Sequence, residues 1–233
     1  MKDKILLIED DYSISDALSF ALRKEGFITR QCFNGQDGID IFQTFAPDLV
    51  ILDIMLPDMN GFDVCRKINY NNTPIIMLTA RNDIVDKILG LELGADDYIT
   101  KPFDIREVIT RIKVALRRVS NYSTTIQKQE ETPFIKLNSS IKLFKKQRKV
   151  IFNEEEVKLK PREFELLLFL SQNREIVFNR ETLLDKVWGM DYDGDSRTVD
   201  IHIRRLRSKL MDDNTLIETI FGVGYKMRGY DEK

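Results

Sequence analysis

At 233 residues, with 36 Lys and Arg against 38 Asp and Glu, the chain has the length of one large or two modest domains and the charge of a water-exposed protein. It has no apolar run of about eighteen residues, no signal-peptide layout after Met1-Lys2-Asp3-Lys4, and two cysteines, Cys32 and Cys65, without metal-ligand spacing. A cytoplasmic protein with no membrane association, disulfide framework or zinc site is expected.

The formal charge of -2 conceals an uneven distribution. Up to Ser120 there are 15 basic and 19 acidic residues, and beyond it 21 and 19. A near-neutral total leaves nucleic acid open as a partner, because a small basic surface engages phosphates locally.

In chain order, Ile5-Leu6-Leu7-Ile8, Leu49-Val50-Ile51-Leu52 and Ile75-Ile76-Met77-Leu78 are short apolar runs suited to strands buried on both faces. Ile28 to Phe33 and Asp97 to Thr100 supply two more. Between them Ile14, Ala17, Leu18, Ala21 and Leu22 recur at helical spacing, as do Ile105, Val108, Ile109, Ile112 and Leu116. The alternation predicts five strands and five helices in a doubly wound, five-stranded parallel sheet, a flavodoxin-like α/β fold whose ligands sit at strand carboxyl ends.

Asn121 to Thr132 is polar and aperiodic and is closed by Pro133, which reads as a linker. The expected division is a first domain over 1–119, a linker over 120–133 and a second domain over 134–233. In the second, Phe134 to Lys160 alternates as small antiparallel strands do, for example at Lys149-Val150-Ile151-Phe152-Asn153. Pro161 opens a helix with Leu166, Leu167, Phe169 and Leu170 on its apolar face, and Arg180 to Trp188 forms another ending at Gly189. A third runs from about Ser196 to Leu210, and Glu218 to Met227 reads as a hairpin around Gly222 and Gly224. This is the layout of an α+β winged helix-turn-helix domain.

Glu9 and Asp10 follow the first strand, Asp53 ends the third, Thr79 ends the next and Lys101 follows the last. Taken singly, each acidic residue is more readily read as a helix cap than as a chemical group, and Asp11 is read as a cap. At the ends of different strands of one sheet they describe a pocket. Carboxylates gathered there call for a cation, and oxygen ligands suit Mg²⁺ or Mn²⁺. Asp53 is a candidate nucleophile toward phosphorus, with Lys101 to pair with the phosphoryl product and the Thr79 hydroxyl to meet it. The chain's one histidine, His202, lies far outside this domain, so a phosphohistidine donor has to be another protein.

Leu52-Asp53-Ile54-Met55-Leu56-Pro57, Gly61, Met77-Leu78-Thr79-Ala80 and Gly94-Ala95-Asp96-Asp97-Tyr98-Ile99-Thr100-Lys101-Pro102-Phe103 resemble a response-regulator receiver domain over residues 2 to about 119. The resemblance implies Asp53 as phosphoacceptor, Mg²⁺ held by Glu9, Asp10, Asp53 and the Met55 carbonyl, and Lys101 on the phosphoryl group. It also implies a cis Lys101–Pro102 peptide, Thr79 and Tyr98 as a switch pair, and a sensor histidine kinase as donor. A packing aromatic would equally place a tyrosine at 98.

Between Arg197 and Lys209 there are five basic residues and one acidic one. Val199, Ile203, Leu206 and Leu210 define a buried seam. At about 100° per residue the opposite side carries Arg197, Ile201, Arg204, Arg205 and Ser208, with Thr198, His202 and Lys209 on one flank. Arginine holds phosphate or reads guanine, and an exposed Ile201 suits thymine methyls. A solvated charged face is the plainer reading, which the winged layout outweighs.

Leu159-Lys160-Pro161-Arg162-Glu163-Phe164-Glu165, Val187-Trp188-Gly189, the run Arg197 to Arg207 and Gly222-Val223-Gly224-Tyr225 resemble the OmpR/PhoB effector domain from 134 to about 228. The implied DNA-contacting set is Arg197, Thr198, Ile201, His202, Arg204, Arg205, Arg207, Lys209 and Tyr225. Many relatives have Arg before the first wing glycine, reaching the minor groove. Here that residue is Phe221, so wing reading of the minor groove stays open, with Lys226 and Arg228 as phosphate candidates. The loop Met190 to Asp195 is either a solvated turn or, as in the family, a contact for RNA polymerase.

Lys87, Glu92, Asp96, Asp97, Glu107, Arg111 and Arg118 form a mixed-sign set expected on exposed positions, and the family uses this face to form a homodimer after phosphorylation. Promoter DNA with direct repeats about one turn apart is then expected. Two rivals compete: a Mg²⁺-dependent phosphatase or phosphotransferase, and a DNA-binding protein indifferent to phosphate. A haloacid-dehalogenase-type enzyme requires a second Asp two residues after the first, where this chain has Met55. The intact pocket with Thr79 and Lys101 speaks against the second rival. The expected protein turns over no external substrate.

Overall fold

Continuous apolar runs flanked by capped helices build the first half of the chain. The computed structural model describes residues 2–69, 73–79, 90, 91, 93–120, 134–189, 192, 195–213 and 215–230, with the side chains of 117–120 excepted. It divides into two units, Met1–Arg118 and Val119–Lys233.

In the first unit β1 (Lys4–Ile8), β2 (Ile28–Cys32), β3 (Leu49–Asp53), β4 (Ile75–Thr79) and β5 (Asp97–Thr100) form one sheet in the order β2-β1-β3-β4-β5. All its pairings are parallel. β3 and β4 are buried along their whole length, whereas the edge strand β2 is exposed at alternate residues. Helices α1 (Tyr12–Lys24), α2 (Gly35–Phe45), α3 (Gly61–Ile68) and α4 (Ile105–Ser120) accompany it. Ile5, Leu7, Leu49, Ile51, Ile76, Leu78 and Ile99 pack with Leu18 and Leu22 of α1 and Val108, Ile112 and Leu116 of α4 in one core layer.

One detail differs from the periodicity. Ala17 is exposed, and Ser15 and Ser19 are buried instead. Their hydroxyls are paired with the adjoining strand: Ser19 Oγ lies 2.8 Å from Thr29 Oγ1, and Gln31 Nε2 donates to Ser15 Oγ at 3.1 Å. Hydrogen bonding makes a hydroxyl as acceptable inside as a methyl.

In the second unit β6 (Ile135–Lys136), β7 (Ile141–Phe144), β8 (Lys149–Phe152) and β9 (Glu155–Val157) form an antiparallel sheet. Helices α5 (Pro161–Gln172), α6 (Arg180–Trp188) and α7 (Arg197–Leu210) follow. The chain then closes with β11 (Ile217–Ile220) and β12 (Gly224–Met227), which pair antiparallel and join β10 (Phe178–Asn179) in the order β10-β12-β11. At Gly224 a Cβ would lie 2.0 Å from the Phe178 carbonyl oxygen, so only glycine lets these strands meet. Val199, Ile203, Leu206 and Leu210 are all buried in a core shared with α5 and α6. No described helix is long and apolar enough to cross a membrane.

Candidate functional site

Because the strands are parallel, their carboxyl ends lie along one edge, and the order 2-1-3 makes a crevice there beside β1. Glu9 and Asp10 leave β1 at that edge and Asp53 ends β3. Ligand oxygens of the three carboxylates lie within 4.8 Å of one another, Glu9 and Asp53 buried and Asp10 exposed. Lys101, just past β5, donates from Nζ to Glu9 Oε1 at 2.7 Å and to Asp53 Oδ2 at 2.6 Å. The Met55 amide donates to Asp53 Oδ1 at 3.1 Å. The Lys101–Pro102 peptide is cis.

The Lys101 ammonium contacts two of the three carboxylates. Glu9 Oε2 is buried without a hydrogen-bond partner, so the pocket carries acceptor capacity that a hard cation fits. Burial pushes the Glu9 carboxyl up to about 7, the neighbouring Asp53 charge adding and Lys101 opposing. Burial by itself disfavours the Lys101 ammonium, but its hydrogen bonds to Asp53 and Glu9 outweigh this and hold it above the ordinary lysine range.

A pH dependence follows. With its folded value raised above 4.5, neutral Glu9 contributes stability below about pH 4.5 that is lost as pH rises through about 7. A ligand carboxyl must shed its proton, so divalent-cation affinity is expected to weaken, by up to about tenfold per pH unit, below pH 7. Calorimetric Mg²⁺ titrations at pH 8, 7 and 6 check this, and a flat affinity would exclude Glu9 as a titrating ligand.

Thr79 is buried at the carboxyl end of β4 and Tyr98 near the start of β5, where Met77 pairs with Tyr98 and Thr79 with Thr100. The Thr79 carbonyl accepts the Lys101 amide at 2.6 Å. Thr79 and Lys101 thus share the carboxyl edge, and Tyr98 lies two residues before the end of β5.

Of the expected dimer face, Lys87, Glu92 and the Arg118 side chain lie outside the described residues. Asp96, Asp97 and Arg111, expected on exposed positions, are instead buried. Arg111 Nη1 contacts both Asp97 carboxylate oxygens at 3.2 Å, and its Nε and Nη2 reach Glu107 Oε1 at 3.0 and 2.6 Å. Asp96 Oδ2 accepts the Ile75 amide at 2.9 Å. Arg111, Asp97 and Glu107 satisfy one another within the domain, which is the condition for burying charge. Glu107 stays partly exposed.

The second site is α7. Arg197, Arg204 and Ser208 are exposed and Arg205 is half-buried. Thr198, Ile201 and His202 are buried, contrary to their expected outward position. A helical wheel sees a single seam, whereas a second side of α7 is covered. The Trp188 ring meets His202 edge-on at 4.9 Å, and Tyr192 Oη lies 3.4 Å from Thr198 Oγ1.

Two expected DNA-contacting cations are engaged inside the domain. Arg207 Nη2 donates to the Ile217 carbonyl at 2.6 Å and to Thr219 Oγ1 at 2.8 Å. Lys209 Nζ donates to Glu163 Oε2 at 2.7 Å. Tyr225 is buried as well, its hydroxyl donating to Asp200 Oδ1 at 2.7 Å. Arg180 Nε binds the same oxygen at 2.7 Å. Burial, reinforced by Asp200, pushes the Tyr225 phenol up to about 12. These bonds lock the hairpin against α7, and no local sequence signal marked Arg180 or Asp200 as their partners.

In the hairpin, Lys226 pairs with Glu175 at 3.0 Å and Glu218 at 3.4 Å, and Arg228 with Glu218 at 3.2 Å. Phe221 at its tip is 91% exposed. Met190, Asp191, Asp193 and Gly194 of the loop before α7 lie outside the described residues.

Comparison with known proteins matches residues 5–113 to the response regulator receiver domain and residues 154–227 to the family described as "Transcriptional regulatory protein, C terminal". Among solved structures, the response regulator DrrB, a Thermotoga maritima OmpR/PhoB homologue, is 32% identical over 98% of this chain and 100% of its own, with a TM-score of 0.51. A mutant of RitR is 28% identical over 97% of this chain and 100% of its own, TM-score 0.68. A two-component response regulator from Clostridium difficile is 30% identical over 51% of this chain and 98% of its own, TM-score 0.50.

Proposed function

The chain belongs to the OmpR/PhoB family of response regulators, two-component proteins that act as transcription factors, and on that premise we propose that Asp53 accepts a phosphoryl group from the phosphohistidine of a sensor histidine kinase, switching promoter binding. The observation that carries this reading is the Lys101 ammonium held between Glu9 and Asp53, beside a buried Glu9 oxygen that has no partner.

An Asp53 carboxylate oxygen attacks phosphorus. The P–O bond forms as the P–N bond of the donor breaks, and the leaving imidazole takes up a proton. Lys101 is placed to hold the transferred group, and the Met55 amide to orient the nucleophile. Glu9, Asp10, Asp53 and the Met55 carbonyl would hold Mg²⁺ or Mn²⁺, which when bound supplies positive charge against the phosphoryl oxygens. Thr79 is read as the hydroxyl that turns to the phosphoryl group, with Tyr98 following.

Downstream, the reading includes a phosphorylation-driven homodimer, promoter sites arranged as direct repeats, contact with RNA polymerase and a cytoplasmic place of action. DNA is met by the exposed Arg197 and Arg204 of α7 with Arg205 beside them. The protein handles only its own phosphoryl group and turns over no external substrate.

Incubation with Mg²⁺ and a small acyl-phosphate donor, followed by intact mass and a promoter footprint, tests the whole. One added phosphoryl group together with tighter DNA binding is expected. Continuous phosphate release would indicate an enzyme, and unchanged DNA affinity a phosphate-independent DNA-binding protein.

A further inference from the structure

The loop from Ile54 to Asn60 carries Met55, the one expected cation ligand that is a backbone carbonyl. Its two ends are fixed locally. Ile54 donates to the Leu78 carbonyl at 3.2 Å, Gly61 donates to the Ile54 carbonyl at 2.8 Å, and Met55 and Asn60 form an antiparallel bridge. Its tip is fixed by a different element. Asp58 Oδ1 accepts the Gly35 amide at 2.7 Å and Asp58 Oδ2 accepts the Gln36 amide at 2.9 Å, both from the first turn of α2. Met59 lies on the same turn, where a Cβ on Gly35 would come within 2.6 Å of Met59 Cγ.

The first N–H groups of a helix need acceptors, normally provided by the residues just before it. Here the Asn34 side-chain oxygen accepts the Asp37 amide, at 2.8 Å. The two remaining donors are answered by a carboxylate 23 residues away, which favours the positive end of the helix as well. The slight burial of Asp58 works against its ionisation, yet the Gly35 and Gln36 amides hold it below the usual carboxylate range.

We propose that Asp58 is a positioning residue for the cation: by tying the loop tip to the first turn of α2, it holds the Met55 carbonyl beside Glu9, Asp10 and Asp53. The proposal rests on the reading of that pocket as a Mg²⁺ site, which the bare, buried Glu9 Oε2 supports independently. Residues one step behind a metal ligand typically cost 10–100-fold in affinity when removed. Asp58 holds a flexible carbonyl rather than a ligand side chain, so the lower end applies.

Mg²⁺ alone is titrated calorimetrically into the full chain, and amide hydrogen exchange is followed at Gly35–Asp37 and Ile54–Asn60. Asp58→Ala is expected to weaken Mg²⁺ binding about tenfold and to speed exchange in both segments. Asp58→Asn, which keeps one acceptor oxygen, falls between it and the unaltered protein, and it carries the test should Asp58→Ala fail to fold. Asn34→Ala removes the other cap of the same helix and leaves the loop tied, so its Mg²⁺ affinity should stay at the starting level.

Unchanged affinity in Asp58→Ala beside normal binding by the unaltered protein overturns the clamp alone. So does an equal loss in Asn34→Ala, which would make capping of α2 the cause. Failure of the unaltered protein to bind Mg²⁺ overturns the reading of the pocket and the clamp together.

Discussion

Replacing Asp53 by Asn is expected to eliminate phosphoryl incorporation from a small acyl-phosphate donor, a fall of at least about 1000-fold, the scale associated with loss of a nucleophile. The amide offers no anionic oxygen to phosphorus, while its shape keeps the site filled. Lys101 Nζ, 2.6 Å from Asp53 Oδ2, exchanges a charged partner for a neutral one. Glu9 loses a like charge that now helps to raise it, so its carboxyl should move down toward the ordinary range. Intact mass reads the adduct, and a footprint with and without donor reads the consequence: DNA affinity that no longer responds. An adduct that persists in Asp53→Asn would place the phosphoryl group elsewhere, Asp10 being the nearest exposed carboxylate of the cluster.

Gly61→Ala is expected to be strongly destabilising. Gly61 begins α3, and a Cβ there would lie 2.0 Å from the Asp53 carbonyl oxygen and 2.8 Å from Ile54 Cα. Both neighbours are backbone, so no rotamer change relieves the overlap. Either α3 lifts from the end of β3 or the end of β3 moves. Overpacking of this kind costs about 3 kcal/mol, which for a domain of this size lowers the unfolding transition by on the order of 10 °C. The displaced backbone is that of the phosphoacceptor, so phosphoryl incorporation should fall in the molecules that remain folded. Differential scanning calorimetry of the full chain checks the first part; a shift below about 2 °C would show that the helix start is free to yield.

Much of the receiver was legible because its signals are local. Strands buried on both faces must be continuously apolar, so Leu49 to Leu52 and Ile75 to Leu78 announce themselves. Once the sheet is parallel, the residue after each run lands on one edge, which brought Glu9, Asp10, Asp53, Thr79 and Lys101 together from spacing alone.

The misreadings concern contacts made by distant residues. Ile201, Thr198 and His202 look outward on a helical wheel, and Trp188 and Tyr192, from outside the helix, help to cover that side. Asp97 and Arg111 look like surface charges until β5 and α4 face each other and the pair closes at 3.2 Å. Nothing in the sequence around Asp58 marks its role, since its partners at Gly35 and Gln36 are set by the packing of α2 against the loop. Ser15 and Ser19 show the same limit at smaller scale, because only the fold supplies Thr29 and Gln31 to their hydroxyls.

The internal engagement of Arg207 and Lys209 bears on how promoter occupancy answers to ionic conditions. Each phosphate neutralised on duplex DNA releases condensed counterions, and log affinity falls with log salt by about 0.9 per contact. Of the five cations in Arg197 to Lys209, Arg207 is bound to the Ile217 carbonyl and the Thr219 hydroxyl and Lys209 is paired with Glu163, while the hairpin's Lys226 and Arg228 are offset by Glu175 and Glu218. With Arg207 and Lys209 so engaged, the helix's share of the slope should fall below the roughly 4.5 per copy that five phosphate contacts would give. Promoter binding should then weaken less steeply with salt than the basic count of the helix suggests.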